Sequence, residues 1–228
     1  PENRFYARGP RFRLNAEAIR DNALAVSGLL INKLGGVGVK PYQPSGIWKA
    51  VGYSGSNTVK FQQGKGGEQL YRRSLYTFWK RTAPPPMMNN FDAPSREAFC
   101  MRRERTNTPL QALQLMNDIQ FVEAARHLGV RMMTEGGQTS AAQLAWGFRL
   151  VLARKPNKKE QATMERVLGQ LQFRFKKEPA NAKAILEVGD SPVNAKLDAS
   201  EQAAFTMLAS TRRSEDGGWG KGGDPGGP

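Results

Sequence analysis

A mainly α-helical, irregular multi-helix domain with little β structure is the fold class this sequence predicts, and three observations predict it. Apolar residues recur at helical spacing in segment 15–34 and through most of residues 108–210. Helix-start signals, a Thr, Asn or Asp followed three positions later by Gln or Glu, punctuate the second half. Between these regions, residues 35–67 show no periodicity and are rich in glycine, proline and isolated aromatics.

Taken in order, residues 3–13 are basic and aromatic around a Gly9-Pro10 turn and predict an extended lead-in. Asn15 is placed to cap a helix that carries Ile19, Ala23, Val26 and Leu30 on one face and stops at Gly35-Gly36. Segment 35–67 predicts a long irregular stretch with one short hairpin at Ser54-Gly55-Ser56-Asn57. Residues 71–81 read either as a strand, by alternation of Leu75, Thr77 and Trp79 with Tyr76, Phe78 and Lys80, or as a helix begun at Glu68. Pro84-Pro85-Pro86 ends either one in a polyproline II stretch.

The second half is more sharply marked. Thr108, Pro109 and Gln111 form a capping box with proline at the first helical position, and the helix reaches Asn117-Asp118. Asp118 restarts it through Ile119, Val122, Ala125 and Leu128 until Gly136-Gly137. Thr139 opens a helix with Leu144, Phe148, Val151 and Leu152 on one face, closed before Pro156. Asn157 and Glu160 start another that runs to Lys177, and Asp198 with Glu201 starts a last one toward Ser210. One domain over residues 1–210 is predicted. The tail, 211–228, has Trp219 as its one large apolar side chain among seven glycines and is predicted to be disordered.

Composition narrows the chemistry. A chain of 228 residues with 39% hydrophobic content can build a real core, and no run of eighteen apolar residues offers a membrane span. One cysteine, Cys100, and one histidine, His127, exclude a disulfide framework, a four-ligand zinc site and C-x-x-C-H haem attachment within this chain. No cofactor and no metal are therefore expected. Net charge is +14, and it is uneven: 18 basic and 7 acidic residues lie in 1–113, against 16 and 13 afterwards. Such a field attracts polyanions, whether nucleic acid, charged polysaccharide or an anionic surface, unless the arginines serve internal ion pairs and loop carbonyls. The chain opens on Pro1-Glu2-Asn3-Arg4 with no n-region or h-region, and reads as a piece of a longer protein.

Five motifs in series are more specific than composition. They are Arg11-Phe12-Arg13-Leu14-Asn15-Ala16-Glu17-Ala18-Ile19-Arg20-Asp21, Lys40-Pro41-Tyr42-Gln43-Pro44-Ser45-Gly46-Ile47-Trp48, Tyr71-Arg72-Arg73-Ser74-Leu75-Tyr76-Thr77-Phe78-Trp79, Phe91-Asp92-Ala93-Pro94, and Arg102-Arg103-Glu104-Arg105-Thr106-Asn107-Thr108-Pro109-Leu110-Gln111. In this order they resemble the planctomycete PSD-one domain, a domain of unknown function, over roughly residues 1–210. The resemblance implies the C-terminal part of a large exported protein that also carries a cytochrome-c-like module, and hence an extracytoplasmic, periplasmic or cell-surface setting. The other modules of that parent would be its partners, with polysaccharide as a substrate class. It transfers no catalytic residue. From Thr211 onward the sequence departs from the family pattern.

Candidate sites follow from spacing. Arg13, Glu17, Arg20 and Asp21 are separated by helical steps, which gives either an ion-pair ladder or a carboxylate pair, Glu17 and Asp21, for acid–base work or cation binding. Arg102, Arg103 and Arg105 precede a capped helix and suit an anion, or else a basic turn packed on the acids of the first helix. Tyr42, Trp48, Tyr53, Tyr76, Phe78 and Trp79, interleaved with Arg72 and Arg73, form either a stacking platform or the cover of a small core. His127 reads as a surface or half-buried residue and Cys100 as a packing residue. Three functions are carried forward: a non-redox recognition domain for an anionic or polysaccharide ligand, a polysaccharide hydrolase or lyase using Glu17 and Asp21, and a non-specific nucleic-acid binder.

Overall fold

The first helix ends earlier than its apolar spacing suggests. In the structure, a computed structural model that describes residues 13–53, 55 and 60–216 with side chains as far as Thr211, α1 spans Ala16–Ser27. Gly28 at φ 79° adopts the left-handed conformation, and the N–H groups of Leu29 and Leu30 turn back to the Leu24 carbonyl. Gly28, not Gly35-Gly36, is therefore the terminator. Its side-chain-free φ > 0 closes the helix before Leu30 can extend the apolar face. The lead-in ahead of Arg13, most of the hairpin at 54–57 and the tail beyond residue 216 lie outside the described residues; residues 211–216, expected to be disordered with that tail, instead continue the last helix.

Short elements fill the irregular region. They are α2 (Ile47–Ala50), α3 (Gly67–Tyr71), a 3-10 turn (Ser74–Tyr76) and α4 (Pro86–Asn90). Neither reading of residues 71–81 holds throughout: helix stops at Tyr71, and two isolated parallel bridges, Ile31 with Arg72 and Val39 with Thr77, flank the 3-10 turn. Pro86 starts α4 from N1 instead of prolonging the polyproline stretch, since a proline at that position loses no helical N–H bond.

The later helices begin where the caps place them. α5 (Pro109–Asn117) opens on a complete Thr108–Gln111 capping box, and α6 (Ile119–Glu135) on Asp118, whose carboxylate accepts the Gln120 N–H at 2.9 Å. α7 (Ser140–Leu152) is capped by Thr139, and α8 (Lys158–Lys177) by a reciprocal Asn157–Glu160 box with both bonds at 2.8 Å. α9 (Pro179–Leu186) was not anticipated, because Pro179 ends α8 and also serves as N1 of the next helix. α10 (Ala199–Asp216) starts after Asp198, which accepts the Glu201 N–H.

α6 and α10 form the central pair. α8, α9 and α5 pack on α10; α1, α5, α7 and α9 pack on α6. Two cores meet along α6. Ala125, Leu128 and Met132 join Leu144, Phe148, Met164, Leu168 and Phe205 on one side. Phe121 and Ala124 join Ala16, Ala23, Met88, Phe91 and Leu115 on the other. A smaller cluster, Leu24, Tyr42, Leu70 and Tyr71, lies under the irregular segment. Among the described residues no helix is long and apolar enough to cross a membrane.

The α6–α10 crossing is close because Gly129 has no side chain. A Cβ there would stand 3.0 Å from backbone atoms of Phe205 and Thr206. Gly129→Val is therefore expected to destabilise the protein by about 1–3 kcal/mol, the usual cost of over-packing against rigid neighbours. Urea denaturation checks this; an unchanged midpoint would show that α10 can shift freely.

Candidate functional site

The arginine motif sits on a loop pinned near both ends. At its start, Trp79 Nε1 donates to Ser95 O at 3.0 Å and the Arg96 guanidinium lies 4.4 Å from the Trp79 ring centroid. At its end, Asp92 accepts the Thr106 N–H at 2.8 Å and its hydroxyl at 2.9 Å, while Arg13 pairs with Asp92 and donates to Thr106 O. Asp92 adopts φ 59°, so its carboxylate turns back over the loop it holds. Between the anchors, Arg103 forms a bidentate pair with Glu17, at 2.7 and 3.1 Å. Arg102, Arg103, Glu104 and Arg105, together with Asn15, line a polar cavity of about 630 Å³ at the start of α1.

Glu17 and Asp21 are held by separate partners. Burial works to raise the Glu17 pKa, but hydrogen bonds from Arg103 and the charges of Arg103 and Arg96 outweigh it and leave the carboxyl below its usual value. Asp21 accepts the Ser74 N–H at 2.7 Å and faces Arg73 at 3.4 Å. The expected ladder along α1 does not form, because each of its members finds a partner remote in sequence. Arg13 takes Asp92, Glu17 takes Arg103, and Arg20 turns into the core. A general acid needs a raised pKa and an open proton path. Glu17 has neither.

The aromatic residues of the irregular segment divide: Trp48 and Tyr42 point inward, Tyr76 and Trp79 are half-buried, and Tyr53 and Phe78 are exposed. Trp48, 1% exposed, packs edge-on against Phe61 at 5.2 Å and near Phe78 at 5.6 Å, with the Lys40 and Lys80 ammonium groups over its ring. Tyr42 is buried, and its hydroxyl accepts the Asp190 N–H at 2.7 Å. Arg72 is buried over Tyr76, 3.8 Å from the ring centroid, and donates to the carbonyls of Lys33, Gly35 and Val37. Arg73 is exposed and reaches Asp21. Cys100, expected to pack, is exposed instead, because residues 97–102 project between the loop's anchors.

A polar cluster that sequence reasoning missed lies on the buried side of α6. Glu123, fully buried, accepts from the Tyr71 hydroxyl at 2.8 Å, the Ser191 N–H at 2.8 Å and the Ser191 hydroxyl at 2.6 Å. Arg126 donates to the carbonyls of Val188, Ser191 and Pro192 and to Ser191 Oγ. His127 Nε2 completes the cluster, 2.8 Å from Ser191 Oγ. Burial, with the hydrogen bond to Glu123, pushes the Tyr71 phenol up to about 12, so it remains a donor. The one hydroxyl proton of Ser191 goes to the Glu123 carboxylate and not to His127, and the oxygen also accepts from Arg126. The available signal was Glu123 and Arg126 standing one helical turn apart on the apolar face marked by Val122 and Ala125.

The comparisons supply a family and no reaction. The model of the family described as PSD1, protein of unknown function (DUF1553), matches residues 1–168. The chain belongs to that family. No curated protein matches it, and no solved structure does. Among the described residues no group of three or more His, Cys, Asp or Glu is placed to hold a metal ion.

His127 makes the polar cluster sensitive to pH. Burial first, and the neighbouring Arg126 charge second, push its pKa below the ordinary 6.5. The unfolded chain therefore binds a proton that the folded chain refuses. His127's contribution to stability is complete above about pH 6.5 and is lost as pH falls below it. As the sole histidine, it can be tested cleanly: between pH 7.5 and 5.5, His127→Gln should flatten the fall in urea midpoint. An identical slope in both proteins would remove His127 from the account.

Proposed function

We propose that this PSD1-family chain is a non-redox recognition domain of an extracytoplasmic multidomain protein, engaging an anionic partner through the loop that carries Arg102, Arg103 and Arg105. The observation that supports this most is the loop's middle. It is fixed at both ends by Trp79 and Asp92, yet it holds Phe99 at 90% and Met101 at 94% exposure beside Arg102. Exposed large apolar groups next to cations, on a backbone already ordered, are features of a binding surface rather than of a solvated turn. The loop runs directly into α5, whose Leu110, Leu113 and Met116 are also exposed.

The chemistry favours an acidic partner with apolar groups of its own, such as a neighbouring module of the parent protein. Polysaccharide is supported less, since Trp48 and Tyr42 are inside and only Tyr53 and Phe78 of the expected platform are exposed. The enzyme reading has the weakest geometric support, with Glu17 clamped by Arg103 and Asp21 by Ser74 and Arg73. Nucleic acid remains a third reading that rests on net charge alone.

A panel of polyglutamate, polygalacturonate, heparin and duplex DNA, titrated at rising salt, tests the proposal. Replacing both Arg102 and Arg105 by alanine should weaken binding to the preferred polyanion about tenfold, the loss of one to two exposed charge contacts near 1 kcal/mol each. Unchanged affinity in the double variant contradicts the assignment. Preference for any DNA with steep salt dependence would move it to the nucleic-acid reading, and a product released from polygalacturonate but absent with Glu17→Gln would move it to catalysis.

A further inference from the structure

A second concave site lies between α7 and the start of α8. It has a volume of about 550 Å³, within the usual range for small-molecule sites. Its wall is mostly apolar: Trp146 and Ala145 from α7, Pro156 from the connecting turn and Ala162 from α8. Trp146 is only half-buried, with the Arg131 guanidinium 5.2 Å from its ring centroid and the rest of the indole facing the α7–α8 groove.

Three exposed cations rim this wall, Arg149 from the last turn of α7 and Lys155 and Lys158 around the cap of α8. None of them is in an ion pair among the described residues. The turn that brings them together is strained in a way the fold maintains: Ala153 caps α7 at φ 55°, a left-handed conformation unusual for a residue with a side chain, and so reverses the chain toward Lys155. The one carboxylate of the wall, Glu165, is already engaged, accepting from Gln161 Nε2 at 2.7 Å. That contact, with a second from the same nitrogen to Ala141 O, fixes the Gln161 amide. Its other end, Oε1, is buried with no hydrogen-bond partner among the described residues. With no accessible surface, that oxygen is out of reach of anything in the groove, so the groove's recognition rests on its apolar wall and cationic rim.

We infer that the α7–α8 groove binds a small aromatic acid: a flat ring against Trp146 and a carboxylate held by Arg149, Lys155 and Lys158. The apolar wall favours an aromatic ring over a sugar, whose second face would need polar partners that Ala145, Pro156 and Ala162 cannot supply. The site is independent of the arginine loop, and it lies within the residues matched by the family model.

Fluorescence titration with 2-naphthoate, compared with 2-naphthol, tests each part. Binding should be saturable for 2-naphthoate and weaker by about tenfold or more for 2-naphthol, which lacks the carboxylate. Trp146→Ala should abolish it. Because that variant also removes packing against α6, two further variants retain the core: Ala162→Leu should block the groove, and Lys155→Gln with Lys158→Gln should weaken 2-naphthoate while leaving 2-naphthol unchanged. The inference is overturned if 2-naphthoate does not saturate, if Ala162→Leu binds as well as the parent chain, or if galacturonate displaces the probe.

Discussion

The guanidinium of Arg20 holds together the part of this molecule that has no regular hydrogen-bonding pattern. Only 1% exposed, it donates to the carbonyls of Leu70 and Arg72, to Ser74 Oγ and to Gln120 Oε1. Burial lowers its pKa to about 10, against the pull of Asp21 and Asp118, so it is still charged at neutral pH. Carbonyls in helices and sheets are satisfied by the backbone itself, but those of an irregular buried segment need another donor. Arg72 continues the same arrangement toward Lys33, Gly35 and Val37, and Arg126 repeats it for Val188, Ser191 and Pro192. A fork of five donors suits this task as no lysine would.

This use of arginine changes what the charge of the chain means. A net +14 suggests a surface made for polyanions, yet Arg20, Arg72 and Arg126 are inside, and Arg13 and Arg103 are committed to Asp92 and Glu17. Many other cations face outward, and two sets of them also line concave surfaces, one on the 94–107 loop and one around the α7–α8 groove. Function is to be sought in these sets, each beside exposed apolar groups, rather than in the net charge.

Much of the fold was legible because local chemistry and tertiary packing agree. Thr108, Asp118, Thr139, Asn157 and Asp198 mark helix starts by a side-chain oxygen that no other conformation would employ so well, and all five helices begin there. Where a residue serves two roles, sequence reading fails: Pro179 both stops and starts a helix, and Gly28 ends one inside a favourable apolar pattern. The site residues were less legible. The types Glu17, Asp21, Arg102 and Arg103 were visible, but their pairing spans 86 residues in the case of Arg103 with Glu17, and no local spacing encodes that. Glu123 and Ser191 were missed for the same reason, being 68 residues apart.

If buried arginines organise the irregular segment, losing one should loosen that segment and not the helical layer. Hydrogen exchange followed by mass spectrometry on Arg20→Gln is the most direct test. The account predicts faster exchange at residues 70–74 that spreads to 33–39 through Arg72, with α7, α8 and α9 protected as in the parent chain. Equal loss of protection in all helices, or none at 33–39, would contradict it.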